Sequence, residues 1–568
     1  MRRSIILLPV LALLAATLPS SAQTAIPAQQ RTGFASIQQA ELRADLTYLT
    51  SDELKGRLSL QPGDDLAVKW IAEQFVAAGL KPGSTDAAGK PSYLQPFTLV
   101  EYRADRAHST ITVTHAEKKT VLLAPQAFGT YKSAVDLTAP VAFAGFGITA
   151  PELGYDDYAG LDAKGKIVLI FDHEPQEDDP HSVFNGTGNT RYATSRVKLL
   201  NAQAHGAVAV LLVAEPNRNH LTNAERSTRI GSSAARPIPI PLQAIADDEI
   251  HIPLGTVLDS VALDLFGGSG TTPSAAQTAI DRDLKPQSRA FPDATVSLHL
   301  RNTSEHTGVT NNVVGLLPGS DPRLAPETIL FSAHHDHDGW AECPDPAHPP
   351  VSIPPDPHPC PQIWHGADDN GSGTVGVVAL ARAFAANAVK PKRSILFVVF
   401  ASEERGLLGA YWMAAHPLRP LATTRAQINF DMIGRDEAAS PQTDGLIEIP
   451  KDTTNRLNLI GALYSPDYNK TVKEANAAIG LTLDDRFDHE SALNVFFRSD
   501  QFPFVLHNIP AFWWFTGFHP DYHHTTDTVD KIDFTKMQKI LQLAYLTGWR
   551  FATEATTPKF VANPSGAK

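Results

Sequence analysis

Five short stretches carry the residue types that hold metal ions and move protons. They are His334-His335-Asp336, the run Asp368-Asp369-Asn370-Gly371-Ser372-Gly373, Glu403-Glu404, Asp431 and His523. Each polar group stands at or just past the end of an apolar run, where an α/β sheet presents ligands to a cleft. Two imidazoles and three carboxylates make a nitrogen- and oxygen-rich set suited to zinc. If one carboxylate bridges two metals, one glutamate of the Glu403-Glu404 pair stays free to carry a proton. The chemistry implied is metal-assisted hydrolysis.

Singly, these signals are weak. His334 and Asp336 follow the apolar run 329–333, and residues two apart in an extended segment point the same way. Asp336 is thereby expected to accept the second ring N–H of His334 and fix its tautomer. Asp369 precedes a helix, where Asp, Asn, Ser and Gly also serve as ordinary caps, and Asp368 is an equal candidate for the bridge. Glu403 and Glu404 follow the run 394–401. Adjacent carboxylates at a buried strand end repel, so a nearby cation is expected; the alternative is a solvated acidic helix start. Asp431 follows the run 426–430. His523 follows the aromatic run 512–515 and has His524 as a rival. With 21 histidines no single one is convincing, and His348, His358, His365 and His519 are expected on loops or at the surface. The conjunction is what favours a two-metal site.

Elements must hold these groups. Runs 328–333, 394–401 and 426–430 read as strands, and 373–386 as a helix with Val377, Leu380, Ala381 and Phe384 on one face. From residue 311 such alternation predicts a mostly parallel sheet covered by helices. Residues 534–555 read as a closing helix. Upstream, 39–49 and 65–78 read as helices, the second with Leu66, Ile71, Phe75 and Val76 on its period and Gly79 at its end. Residues 120–295 change character: β-rich runs at 141–147, 166–171 and 208–213, with a helical stretch at 196–205. None of the five stretches lies there, so it reads as an inserted non-catalytic module.

At 568 residues, two or three domains are expected. A net charge of −13 argues against a nucleic-acid partner and reads mainly as solubility. Arg2, Arg3, the apolar run 5–18 and Ser20-Ser21-Ala22 form a secretory signal, giving an exported protein, periplasmic or secreted, that starts near Gln23. The apolar run is short and broken by Pro9, which argues against a membrane anchor. Two cysteines, Cys343 and Cys360, bracket a proline-rich loop and are expected to pair in an exported protein.

Ser-Ala-His334-His-Asp336, Gly-Ala-Asp-Asp369-Asn-Gly-Ser-Gly, Ser-Glu403-Glu404-x-Gly-Leu-Leu-Gly, Asn-Phe-Asp431-Met-Ile-Gly-Arg435 and Asp-Tyr-His523 resemble the co-catalytic di-zinc aminopeptidase family. Aminopeptidase Y, glutamate carboxypeptidase II and glutaminyl cyclase are its relatives. The resemblance covers residues 300–550 closely and the helices at 38–82 more loosely. Gly147-Ile-Thr-Ala-Pro-Glu152 and Tyr155-Asp-Asp-Tyr158 resemble the protease-associated (PA) domain that some members carry. The implied fold is a three-layer α/β/α sandwich with a mostly parallel mixed sheet, plus an inserted β-rich PA domain. The expected divisions are a signal at 1–22, peptidase parts at 36–120 and 296–556, the PA-like insertion at 121–295, and a tail at 557–568.

By the same resemblance, His334 and Asp431 would bind one zinc, and Glu404 and His523 the other. Asp369 would bridge them with a cis peptide to Asn370, Glu403 would be the general base, and Asp336 the partner of His334. The family pattern selects Asp369 over Asp368 and His523 over His524. The implied activity is removal of N-terminal residues from peptides, with two zinc ions per chain and a peptide as the substrate partner. A dipeptidase or carboxypeptidase of the same chemistry is the alternative, and no arginine cluster for a substrate carboxylate is visible. A non-catalytic receptor-like module would be expected to have lost ligands, which are all present. Residues 512–518 and 498–500 are expected to line the substrate pocket.

Overall fold

The computed structural model describes residues 26–564 apart from 125, 223–224, 226–239, 343–361 and 441. The expected signal segment, the Cys343–Cys360 pairing, His348 and His358 lie outside the described residues.

Two large sheets organise the described residues. The centre of the first, ten-stranded sheet is four parallel strands side by side: Ser394–Phe400, Thr328–His334, Thr424–Phe430 and Ala511–Phe515. Both faces of these strands are covered, which is why they read as unbroken rather than alternating apolar runs. Asn302–Leu317 and then Leu94–Ala104 extend the sheet antiparallel on one side. On the other side Arg456–Ile460 runs antiparallel to Ala511–Phe515.

Helices Gln39–Leu49, Pro62–Ala77, Gly373–Ala386 and Phe534–Thr553 pack on one face around Phe331, Phe384, Phe397 and Tyr545. Leu408–Ala415 and Phe502–Val505 cover the other face, over Val398, Phe400 and Trp513. The result is an α/β/α sandwich. The helix expected at 65–78 begins at Pro62, because proline is favoured in a first turn where its missing N–H has no role. Val76 is exposed rather than facing the core; Ala67, Val68, Ile71 and Phe75 make the buried face.

The second sheet has eight strands and its own core around Phe143, Phe171 and Phe266. Its parallel centre is Val135–Phe143, Ile167–Phe171, Ala209–Val213 and Leu254–Val257. Thr110–His115, on the peptidase side of the division expected at 121, pairs into this sheet because Ile111 and Val113 bury in its core. Conversely, Leu242–Ile245 leaves the insertion to form the edge of the first sheet beside Leu94–Ala104. Among the described residues no helix is long and apolar enough to cross a membrane.

Candidate active site

Three of the parallel central strands deliver site residues at the same end. His334 is the last residue of Thr328–His334, Glu403 and Glu404 follow Ser394–Phe400, and Asp431 follows Thr424–Phe430. Asp369 comes from the turn before helix Gly373–Ala386, and His523 from the loop beyond Ala511–Phe515. The Asp369–Asn370 peptide is cis. The Asn370 side chain donates to Phe430 O at 2.9 Å and accepts from Gly373 N at 3.0 Å, tying the turn to the strand that carries Asp431. Ser402, Met432 and His523 take left-handed backbone conformations (φ 57, 60 and 58°) that side-chain-bearing residues seldom adopt. Such backbone clusters at functional sites, and here it turns the chain beside Glu403 and Asp431.

The side chains converge. His334 Nε2 stands 3.4 Å from Asp431 Oδ1 and 3.6 Å from Asp369 Oδ1. His523 Nε2 stands 3.1 Å from Asp369 Oδ2 and 3.3 Å from Glu404 Oε2. The two oxygens of Asp369 thus face two different donor groups. These spacings resemble the roughly 3.4 Å edge between donors of a tetrahedral zinc ion with bonds near 2.1 Å. Nε2 of His334 and of His523 are both buried without a hydrogen-bond partner. A buried imidazole nitrogen left unpaired is costly, and a cation among carboxylates is the partner this set fits.

Glu403 and Glu404 are chemically identical neighbours with opposite surroundings. Burial pushes the Glu403 carboxyl well above the ordinary range, with Asp431 and Glu404 adding to the effect and His334 opposing it. Burial acts the same way on Glu404, but His523 and His337 outweigh it and bring that carboxyl down to about 2. Glu403 is therefore the more basic carboxylate of the two and Glu404 the more readily ionised. Such divergence is how a site separates proton carrier from charged ligand.

The partner expected for His334 is replaced. The strand ends at His334, so the two-residue alternation does not extend to Asp336. His334 Nδ1 lies 3.2 Å from the backbone oxygen of Asp336 and 3.7 Å from its carboxylate. That carboxylate instead accepts the backbone N–H groups of Glu403 at 2.9 Å and Glu404 at 3.3 Å, orienting the glutamate pair.

Asp368 faces away from the cluster. It accepts from Gly434 N at 2.6 Å and meets His519 Nε2 at 3.2 Å. His519, expected at the surface, is buried, because it follows the buried strand Ala511–Phe515 and packs beneath this turn. His365 is on a loop, 2.9 Å from Asp52. His524 Nδ1 turns to Tyr522 O at 2.7 Å.

Several residues escaped sequence reasoning. His337 Nδ1 lies 2.6 Å from Glu404 Oε1, and its Nε2 is buried without a partner. Its place three residues beyond His334 was the available signal. Asp527 accepts from the N–H groups of Asp368 and Asp369 at 2.9 and 3.1 Å, fixing the turn. Ser499 Oγ donates to Asp431 Oδ2 at 2.7 Å. Arg57, fully buried, donates to the carbonyls of Leu49, His335, His365 and Gly366 at 2.7–3.0 Å. Ser499, expected in the pocket wall, stands behind Asp431 instead, and nothing in the local sequence marks Asp527 or Arg57.

A cleft of about 290 Å³ opens over Asp369, Glu403, Asp431 and His523, walled by Leu407, Phe497, Trp513, Phe518 and Tyr522 together with Arg498. Of the residues expected there, Arg498, Trp513 and Phe518 reach it. Ser499 and Asp500 are buried, Ser499 against Asp431, and Phe512 and Trp514 pack in the helix-side core.

Residues 312–547 match the model of peptidase family M28, and residues 136–252 match the PA domain. A "Probable zinc metalloprotease" of Pyrenophora teres f. teres is 38% identical over 115 residues, covering 18% of this chain and 24% of that protein. "Leucine aminopeptidase 2" of Arthroderma otae is 28% identical over 193 residues, covering 30% of this chain and 35% of the relative. These matches thus span about a quarter to a third of the curated relatives. Among solved structures, an aminopeptidase from Aneurinibacillus sp. strain AM-1 superposes with a TM-score of 0.48 at 19% identity, over 93% of this chain and 96% of that one. Residues 312–547 are a domain of peptidase family M28, and the chain carries a PA domain inserted ahead of it.

Proposed function

We propose that the chain is an exported two-zinc aminopeptidase. The observation that carries this reading is the division of Asp369, with one oxygen toward His334 and Asp431 and the other toward His523 and Glu404. His334 and Asp431 would hold one ion, His523 and Glu404 the other, and Asp369 both. Zinc bound there would supply Lewis acidity toward the scissile carbonyl and make water acidic near neutral pH. Glu403, 3.6 Å from His334 Nε2, takes the proton of the attacking water and passes it to the leaving amine. Asp336 holds the backbone of Glu403 and Glu404 so that the two side chains keep these separate tasks.

The walls of the cleft favour an apolar side chain at the substrate N-terminus, and the naming of a relative as a leucine aminopeptidase agrees with that preference. A carboxypeptidase is the second reading, because Arg498 lines the cleft and could meet a substrate carboxylate. It is less favoured, since Arg498 is one arginine rather than a cluster, with Nη2 3.2 Å from Tyr522 Oη. A panel of aminoacyl chromogenic amides, with and without chelator, against N-blocked peptides separates the two. Cleavage confined to blocked peptides would overturn the aminopeptidase reading. Glu403→Ala should abolish turnover with zinc still bound, and retained activity in a zinc-replete variant would remove Glu403 from its role. Export rests on residues 1–22, and N-terminal sequencing of the exported protein should begin near Gln23.

A further inference from the structure

We propose that the PA domain carries a metal site of its own, built from His173, Glu177, Glu215 and His220 and suited to zinc or a similar divalent transition ion. Sheet register brings the ligands together. Phe171 pairs with Val213 in adjacent parallel strands, so His173 and Glu215 each stand two residues past a paired position. The loops that follow return Glu177 and His220 to the same point. One donor atom from each of the four lies within 4.8 Å of the others.

The detail of the cluster favours a cation over a purely hydrogen-bonded arrangement. His220 Nδ1 lies 3.0 Å from Leu221 O and so carries the ring proton there, leaving Nε2 as the ligand atom. That Nε2 faces two carboxylate oxygens at once, Glu177 Oε2 and Glu215 Oε1, each at 2.7 Å. Even a protonated ring has a single N–H to offer the pair. His173 Nδ1 is 3.0 Å from Glu177 Oε1 and 3.7 Å from Glu215 Oε1, yet neither ring nitrogen makes a hydrogen bond although the side chain is only 2% exposed. Its ring stacks on that of His220 with centroids 4.2 Å apart. Balancing the two glutamates by charging both rings would place two imidazolium cations face to face. One divalent ion balances the same charge and uses the unpaired nitrogens.

The donor chemistry narrows the ion. Two imidazoles with two carboxylates suit zinc and its neighbours, whereas calcium and magnesium prefer all-oxygen shells. The cluster borders a separate cleft of about 460 Å³ whose walls include Asp178, Asp179 and Asp281, an acidic approach for a cation. A bound ion would clamp the two strand-end loops, residues 172–177 and 215–220, and act structurally, since these residues are distinct from those lining the peptidase cleft.

The test measures metal per chain on the full-length protein loaded with zinc and desalted. Glu177→Gln combined with His220→Ala should bind one equivalent fewer than the parent while hydrolysing a chromogenic aminoacyl amide at the parental rate. Glu177→Gln alone, nearly unchanged in volume, provides a milder version should the double variant fold poorly. In the reverse direction, Asp369→Asn with Glu404→Gln disables the peptidase cluster and should retain one equivalent, which the further addition of Glu177→Gln removes. Loading with cobalt gives a visible absorption that should follow the same pattern. Equal metal content in the parent and the Glu177/His220 variant, or an equivalent in the cleft-disabled protein that Glu177→Gln leaves in place, would overturn the proposal. Because the readout is a difference at PA-domain residues, it stands or falls separately from the peptidase assignment.

Discussion

Replacing Ser499 with alanine isolates one contact behind the proposed metal ligands. The Ser499 hydroxyl has its direction fixed: Oγ accepts from Asn429 Nδ2 at 2.9 Å, so its proton goes to Asp431 Oδ2 at 2.7 Å. Asn429 is itself held, its Oδ1 accepting from Ser332 Oγ at 2.7 Å, and all three residues are fully buried beyond the reach of solvent. With Oδ2 engaged, Asp431 presents Oδ1 toward His334. A hydrogen bond to an ionised group contributes about 1.5–3 kcal/mol, and each 1.4 kcal/mol is roughly tenfold in affinity. Ser499→Ala should therefore weaken one of the two zinc equivalents of the peptidase cleft by about 10- to 100-fold, in line with the usual effect of losing a ligand's own partner. Competition with a chromogenic chelator at fixed pH measures this directly. Asn429 Nδ2 also loses its acceptor, so unfolding of the metal-free protein should cost about 1–3 kcal/mol less. A folded variant whose two cleft zinc constants both stay within twofold of the parent would refute the positioning of Asp431 by Ser499.

Other perturbations follow from the same contacts. Arg57→Met strands four carbonyls that now accept from one guanidinium; since each unpaired buried acceptor costs about 1–3 kcal/mol, denaturant unfolding should show a loss of roughly 3 kcal/mol or more, and a loss under 1 kcal/mol would count against it. Chelation should lower the melting temperature and abolish hydrolysis, both restored by zinc, because an ion present at 100 times its dissociation constant stabilises by about 2.7 kcal/mol; an unchanged melting curve contradicts this. Burial raises Asp488 from an ordinary carboxyl value to about 7, against the N–H groups of Gly461 and Leu463 that favour its anion. The folded state thus holds this proton more tightly than the unfolded chain: its stabilising effect is full below about pH 4 and is lost as pH rises through about 7. Asp488→Asn should lose that dependence, so variant-minus-parent stability should climb between pH 4 and 8, and a flat difference would exclude it.

The sequence made the strand ends and the helix Gly373–Ala386 legible because unbroken apolar runs and a strong helical period are local properties. The family pattern prefers Asp369 to Asp368, and the structure turns Asp369 into the cluster while Asp368 meets Gly434 and His519. What stayed hidden depends on distant chain segments. Arg57 meets carbonyls up to 309 positions away, and Asp527 meets the turn 158 positions before it. Neither carries a periodic or motif signal of its own. Asp336 meets His334 through its backbone oxygen more closely than through its carboxylate, because the extended geometry ends two residues before it. Thr110–His115 lies before the division expected at 121 yet pairs into the second sheet, and its apolar alternation alone does not say which sheet will bury it.

The same distinction explains how adjacent, identical side chains can be assigned different work. Nothing in Glu403-Glu404 orders the pair. Asp336 fixes both of their backbone N–H groups, so the two side chains leave the strand end in set directions and cannot exchange places. One direction leads to His337 at 2.6 Å and His523 at 3.3 Å, where an anion is favoured. The other leads to the buried carboxylates of Asp431 and Asp500, where a proton is favoured. A carboxyl with raised proton affinity beside one with lowered affinity therefore follows from where the strand stops and what surrounds that stop. Exchanging the two roles would require moving the histidines, because the glutamates themselves are already the same.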